Sequence, residues 1–198
     1  MQEHYYTEKP KSRLKLFKIS AILRDKRFEF FSATGIFSQK KIDLGTELLI
    51  NDCEIKDNWD VLDLGCGYGA VGIAIKRLFP TTNVFMTDIN QRATKIAKKN
   101  AELNNVNVEI MHGNLFETFK NRKFNTILIN PPQTAGNDVC FKMIELSKDF
   151  LEENGLLQIV ARHNKGGSSF EKQMQIIFNN VTTISKKSGY RIYVSHNN

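Results

Sequence analysis

Hydrophobic and polar positions alternate over the first part of this chain and then settle into a longer rhythm. Residues 13–23 (Arg-Leu-Lys-Leu-Phe-Lys-Ile-Ser-Ala-Ile-Leu) partly alternate, and residues 27–31 (Arg-Phe-Glu-Phe-Phe) do likewise. The short polar Arg24-Asp25-Lys26 between them predicts an antiparallel hairpin. Asp43-Leu44-Gly45-Thr46-Glu47-Leu48-Leu49-Ile50 reads as a short helix. From residue 59, apolar runs at 59–63, 83–87, 106–111, 124–129 and 156–161 alternate with helical stretches at 69–79, 90–104, 137–153 and 168–179. Strands and helices in alternation predict a parallel sheet covered on both faces. Two more strand-like runs, 181–185 and 190–195, joined by Lys-Lys-Ser-Gly, predict an antiparallel hairpin at the sheet edge.

Composition narrows this picture. The 198 residues suit one domain, with 1–52 as a hairpin-and-helix extension and 53–198 as the core. The 41% hydrophobic content is enough for a packed interior. No apolar run reaches the ~18 residues of a membrane span. The first residues lack a basic-then-apolar signal pattern, so a cytoplasmic protein is expected. Cys53, Cys66 and Cys140 are widely separated, as are the four histidines, so neither disulfides nor a metal is expected. The net charge of +7 is unevenly spread. Residues 9–27 carry eight basic side chains against one acid, and residues 162–198 carry six against one. Such a surface attracts polyanions, nucleic acid among them; a solubilising face is the plainer alternative.

Val61-Leu62-Asp63-Leu64-Gly65-Cys66-Gly67-Tyr68-Gly69 is a strand running into a glycine turn and then a helix. Glycines permit φ > 0 and close approach of a ligand to the backbone. The helix start behind them offers unpaired N–H groups. Gly65, Gly67 and Ala70 also fit the loose dinucleotide pattern. Asp63, two positions before the first glycine, argues against a pyrophosphate and for a ligand with positive charge. Gly69 opens the turn further than the dinucleotide pattern requires. S-adenosylmethionine answers both points, being cationic and free of phosphate. Asp88, followed by Ile89, ends the next apolar run about 20 residues on. A carboxylate there accepts ribose hydroxyls, each such bond worth ~1.5–3 kcal/mol; capping the following helix is its alternative role. Asn114, after His112-Gly113, lies where an amide meets an adenine edge, or is an ordinary turn residue.

The run Ile127-Leu128-Ile129 stops at Asn130-Pro131-Pro132. Proline cannot continue a helix or a central ladder, so this is a strand exit. The Asn130 side-chain oxygen and the Pro131 carbonyl are two acceptors suited to a flat amino group with two N–H bonds to give.

Taken in order, Asp63-Leu-Gly-Cys-Gly-Tyr-Gly69, Asp88, Gly113-Asn114 and Asn130-Pro-Pro132 resemble a class I S-adenosylmethionine-dependent methyltransferase over about residues 40–195. His4-Tyr5-Tyr6-Thr7-Glu8-Lys9-Pro10, Gly35-Ile36-Phe37-Ser38 and Asp43-Leu44-Gly45-Thr46-Glu47-Leu48-Leu49 extend the likeness to the RsmC-like guanine-N2 methyltransferases of small-subunit ribosomal RNA, especially small archaeal single-domain relatives. The resemblance implies a Rossmann-like, doubly wound, seven-stranded α/β sheet, mostly parallel, with RNA as substrate and an exocyclic guanine nitrogen as acceptor. It further implies S-adenosylmethionine held by Asp63, Gly65, Cys66, Gly67, Gly69, Asp88, Ile89, Asn114 and Asn130, and catalysis at Asn130-Pro131-Pro132. In several amino-methyltransferase families an aromatic follows Asn-Pro-Pro and stacks on the base; here Gln133 takes that place, and Asn114 replaces an acid often seen at the adenine position. Phe37 is a candidate stacking residue, with a core aromatic as its alternative. Tyr5 and Tyr6 are candidates to order over the site. Arg162 and Lys165 are candidates for RNA phosphates, or simply part of a strand–helix link. The competing functions are a protein glutamine-amide methyltransferase, a non-catalytic RNA-binding assembly factor and, at a distance, a dehydrogenase.

Overall fold

The computed structural model of the chain describes residues 8–10, 12–132 and 136–198. Strands β1 (Leu16–Leu23) and β2 (Lys26–Ala33) form the expected hairpin, in register from Leu16↔Ala33 to Leu23↔Lys26. Arg24 and Asp25 both turn at positive φ, 44° and 63°, the handedness that matches strand twist in a two-residue turn. Helix α1 (Leu44–Asp52) follows, capped by the Asp43 carboxylate, which accepts from the N–H groups of Gly45 and Thr46.

The main sheet contains β3 (Asp60–Leu64), β4 (Asn83–Asp88), β5 (Glu109–His112), β6 (Phe124–Ile129), β7 (Leu151–Arg162), β8 (Thr182–Lys187) and β9 (Tyr190–His196). Among the described residues these seven strands lie in the order β5-β4-β3-β6-β7-β9-β8. The first five in that order run parallel, whereas β9 is antiparallel to both β7 and β8. Helices α2 (Ala70–Leu78), α3 (Gln91–Leu103), α4 (Asn137–Ser147) and α5 (Gly167–Phe178) complete the fold.

Strand alternation divides the interior into two layers. Val61, Val84, Met86 and Leu128 join one layer with residues of α1, α2 and α3. Leu62, Leu64, Phe85, Ile127 and Ile129 join the other with residues of α4 and α5. Both faces are covered, which is why these strands read as apolar runs. The strand order reverses between β3 and β6, and such a reversal opens a crevice at the carboxyl ends of the strands.

The N-terminal hairpin shares the main interior. Ile19, Leu23, Phe28 and Phe30 are buried in the same layer as Ile73, Ile96 and Ala97. The Asn100 side chain accepts from the Phe31 N–H (2.7 Å) and donates to the carbonyls of Phe31 and Tyr68 (2.8 Å each). It thus gives β2 the pair of bonds a neighbouring strand would supply. Asn104 adds a bond to the Glu29 carbonyl at 2.7 Å.

Several boundaries differ from expectation, β1 among them, which begins at Leu16 rather than at residue 13. The helix expected over 137–153 ends at Ser147, a 3-10 turn covers Lys148–Phe150, and β7 starts at Leu151. Leu151 is fully buried as the partner of Phe124, and that strand pairing overrides the local helical pattern. The strand expected from 106 begins at Glu109. No helix among the described residues is long and apolar enough to cross a membrane.

Candidate active site

Gly65 and Gly67 turn the chain out of β3 at φ 75° and 56°. The N–H groups of Gly65 and Cys66 both donate to the Thr87 carbonyl at 2.9 Å, which fastens the turn to β4. Asp88, at the tip of β4, accepts from Gly67 N–H through one oxygen and from Asn90 N–H through the other, both at 2.7 Å. It therefore braces the glycine turn. The cap of α3 is Asn90, whose side chain accepts from the N–H groups of Arg92 and Ala93. Burial raises the Asp88 pKa, opposed by the Asn90 and Gly67 N–H groups and by His112. A Cβ on Gly67 would meet nothing within 4 Å, so the turn leaves open space beside its backbone.

Asp63 is 3% exposed and accepts from Gly72 N–H of α2 at 2.9 Å. Burial pushes its carboxyl from 3.8 up to about 7; the Gly72 N–H opposes the rise and the Asp88 carboxylate adds to it. A buried carboxyl of this kind gains from a cation placed beside it.

Asn130 follows β6 directly. Its amide nitrogen donates to Thr46 Oγ1 at 2.9 Å and to Asp43 Oδ2 at 3.3 Å. The Thr46 hydroxyl itself donates to Asp43. With its one hydrogen committed there, Thr46 serves Asn130 only as an acceptor, so the amide nitrogen must face α1. The amide oxygen Oδ1 is the opposite end of the group, turned away from α1.

These elements close around one cavity of about 220 Å³. It is lined by Asp63, Gly65, Cys66, Gly67, Asp88, Ile89, Asn114, Asn130, Pro131 and Pro132, and by Phe37 and Thr46. Phe37 is 40% exposed at the cavity wall rather than packed in the core. Asn114 is exposed, its amide reaching Glu117 at 3.3 Å. Gly69 does not line the cavity. At φ 92° it starts α2, and a Cβ there would run into Ile73, Met86 and Ala97 at 2.8–3.2 Å. Arg162 and Lys165 also stand outside the lining, at the carboxyl end of β7 on the same sheet edge; the Arg162 guanidinium lies 5.0 Å from the Tyr190 ring centre. Gln133, Tyr5 and Tyr6 lie outside the described residues.

Several lining residues were not anticipated: Thr46, Tyr68, Thr87, Leu115, Val139 and Met143. Asp43 and Thr46 read as part of a short helix and of the stretch that extends the family resemblance, and nothing in local spacing ties them to a residue 87 and 84 positions away. Thr87 is buried, and its hydroxyl has no hydrogen-bond partner among the described residues. Among the described residues no three His, Cys, Asp or Glu side chains converge as metal ligands.

A family profile described as methyltransferase small domain matches residues 27–194. The chain belongs to this family. As a methyltransferase small domain protein it has the class and fold that its sequence resemblance implied. It is 37% identical over 195 residues to the Bacillus subtilis (strain 168) protein named "Uncharacterized protein YbxB", covering 97% of each chain. It is 31% identical over 167 residues to ribosomal RNA small subunit methyltransferase C of Haemophilus influenzae (strain PittGG), covering 82% of this chain and 49% of that one. The fold matches that of the Thermus thermophilus 16S rRNA N2 G1207 methyltransferase RsmC, solved with AdoMet and guanosine. There the TM-score is 0.82 at 22% identity, over 96% of this chain and 52% of that chain. This methyltransferase small domain protein thus spans about half the length of the ribosomal RNA methyltransferases it matches.

Proposed function

We propose that the chain is an S-adenosylmethionine-dependent N-methyltransferase acting on an exocyclic amino group of a base in ribosomal RNA, namely guanine N2. The fixed orientation of Asn130 by Thr46 and Asp43 carries this reading. It turns an amide acceptor, rather than a donor, away from α1 at the strand exit beside the cavity. The family assignment supports methyl transfer, and the names of the Haemophilus and Thermus relatives support ribosomal RNA and guanine N2. We take residues 1–198 as one methyltransferase unit, with the segment 1–52 as an extension on the 53–198 core.

The residues present fit the donor. S-adenosylmethionine supplies an electrophilic methyl group on a positively charged sulfur. The buried Asp63 carboxyl gains a cationic partner, Asp88 offers acceptor capacity to ribose hydroxyls, and the open space beside the Gly67 backbone admits the ligand. Cys66, Ile89 and Asn114 complete that side of the cavity.

An exocyclic amine is a weak nucleophile because its lone pair is delocalised into the ring. Positive charge grows on that nitrogen as its bond to the methyl carbon forms and the carbon–sulfur bond breaks, and one N–H proton then passes to solvent to leave the neutral methylamine. Asn130 Oδ1 and the Pro131 carbonyl accept its two N–H bonds, and these bonds strengthen as the charge appears, which is selective stabilisation of the transition state. Pro132 fixes the backbone direction after them. Phe37, exposed on the cavity wall, stacks on the base; Gln133 lies next to Pro132 in sequence; Arg162 and Lys165 hold phosphates at the same sheet edge. The target nucleotide leaves its stack to reach the cavity. The cytoplasm follows as the working compartment, since that is where ribosomal RNA is found.

Transfer of tritium from methyl-labelled donor into small-subunit ribosomal RNA, run beside total protein, tests the reading. Label in RNA supports it; label in protein alone overturns the substrate class.

A further inference from the structure

One groove outside the cavity has no role in methyl transfer itself. It runs along the outer side of α3, against Lys9, Pro10, Leu14 and Leu16. Lys9, Leu14 and Leu16 form one wall, and Lys95, Lys98 and Lys99 form the other. Together with Arg92 the groove is lined by five cations and no carboxylate. Arg92 plays a structural part, because its guanidinium donates to the carbonyls of Pro10, Ser12 and Thr34 at 2.7–3.1 Å and pins the N-terminal segment to the helix. The lysines play no such part. Lys95, Lys98 and Lys99 are exposed, and among the described residues none of the four lysines enters an ion pair.

This charge pattern works against the helix that carries it. Lys95 and Lys99 are four residues apart and Arg92, Lys95 and Lys98 three apart, so each pair is a close like-charge contact. The first turn carries no acid, although a helix start favours negative charge. Glu102, the one acid of α3, stands outside the groove. A bound anion relieves all of these repulsions at once. From Arg92 to Lys99 the helix rises about 10 Å, more than a single phosphate spans, so the complementary ligand is a chain of anions.

The groove also starts beside the active site. Gln91 lines the groove and Ile89, two residues earlier, lines the cavity. Leu14 and Leu16, 56% and 48% exposed, leave an apolar wall on which a base face can rest. A lipid surface is met by a convex face, whereas these residues line a concave one.

We propose that this groove holds the phosphodiester backbone of single-stranded RNA flanking the methylated nucleotide; the assignment rests on the RNA reading given above. The test uses the full chain and the variant K95Q/K98Q/K99Q, which keeps good helix formers. Anisotropy of a labelled single-stranded RNA of about 20 nucleotides is followed against salt, with methyl transfer to small-subunit RNA, donor affinity and melting temperature alongside. The variant is expected to lose RNA affinity by about tenfold or more. Its slope of log affinity against log salt should shrink by about 2, from three lost contacts at about 0.7 each. KM for RNA should rise in step, with kcat, donor affinity and melting temperature held or the last raised. Wild-type affinity and salt slope in the variant overturn the groove assignment while leaving RNA methylation standing. Loss of binding to phosphatidylglycerol vesicles with RNA binding intact overturns it in favour of a lipid. A wild-type protein that neither binds nor methylates RNA sinks the RNA reading and the groove with it. Should the triple variant melt lower, Lys98→Glu compared with Lys98→Ala decides: charge reversal must weaken RNA binding more, and equal effects count against the proposal.

Discussion

The hydroxyl oxygen of Thr46 lies 2.9 Å from the amide nitrogen of Asn130, joining the first turn of α1 to the exit of β6. The hydroxyl hydrogen is committed to Asp43, so this contact has only one sense. Thr46→Val removes the nearer of the amide's two acceptors and leaves only the 3.3 Å contact with Asp43 to orient it. Turnover is expected to fall on the order of 10–100-fold, as for a misplaced reacting group. Donor affinity measured by calorimetry should stay within about twofold, and Thr46→Ser should restore turnover. Equal losses in both variants would mean that packing of the side chain, rather than its hydroxyl, is what matters.

Asp88 receives two backbone N–H bonds, one from the glycine turn and one from the start of α3. Asp88→Ala strips both acceptors and loosens the turn. Donor affinity should weaken by about 10–100-fold, the range of one or two bonds to a charged acceptor. Asp88→Asn keeps one acceptor and should fall between. Isothermal titration with the demethylated product measures this without turnover. Unchanged affinity in Asp88→Ala would remove this residue from the binding site.

Asp63 sets a pH dependence of defined sign. Burial pushes its carboxyl from 3.8 up to about 7 in the free protein. Donor binding favours the ionised form, so affinity should rise from about pH 6 to about pH 8 and flatten above, with proton release on binding below the midpoint. Stability of the free protein moves the other way. A carboxyl raised from 3.8 contributes stability that is present below that value and lost as pH climbs through about 7. Asp63→Asn should flatten both profiles. A wild-type affinity profile that is flat across this window would contradict the placement of the ligand's positive charge.

Gly69 offers a stability test separate from binding. Its φ of 92° suits glycine, and an added Cβ would press on Ile73, Met86 and Ala97. Gly69→Ala is expected to cost about 1–3 kcal/mol. At this chain length that lowers the melting temperature by about 2–12 °C. Donor affinity should change little, because Gly69 does not line the cavity.

Most of the framework was legible in the chain because local signals and tertiary structure agree. The hairpin at Arg24-Asp25, the strand ends at Leu64 (one residue past the expected Asp63), Asp88 and Ile129, and the glycine turn all announce themselves through short-range chemistry. Long-range pairing was not legible. The helical pattern continued past Ser147, and only the burial of Leu151 against Phe124 shows why the chain becomes a strand there. Gly69 looked like part of the ligand cradle because spacing cannot tell a glycine facing a ligand from one facing a core. Phe37 was ambiguous because sequence does not report exposure. Thr46 was invisible as a site residue because its partner is 84 residues away and its own neighbourhood read simply as a short helix.

Asn130 offers the sharpest test of the chemistry. Small-subunit ribosomal RNA is incubated with donor and either the wild-type protein or Asn130→Ala, then digested and its nucleosides identified by mass spectrometry, with donor affinity of both proteins taken by calorimetry. The wild type should yield N2-methylguanosine, and Asn130→Ala should lower its rate by about 10²–10³ while binding donor as before. Methylguanosine formed at the wild-type rate by Asn130→Ala, or donor binding lost along with activity, would show that the amide at the end of β6 does not receive the amino group.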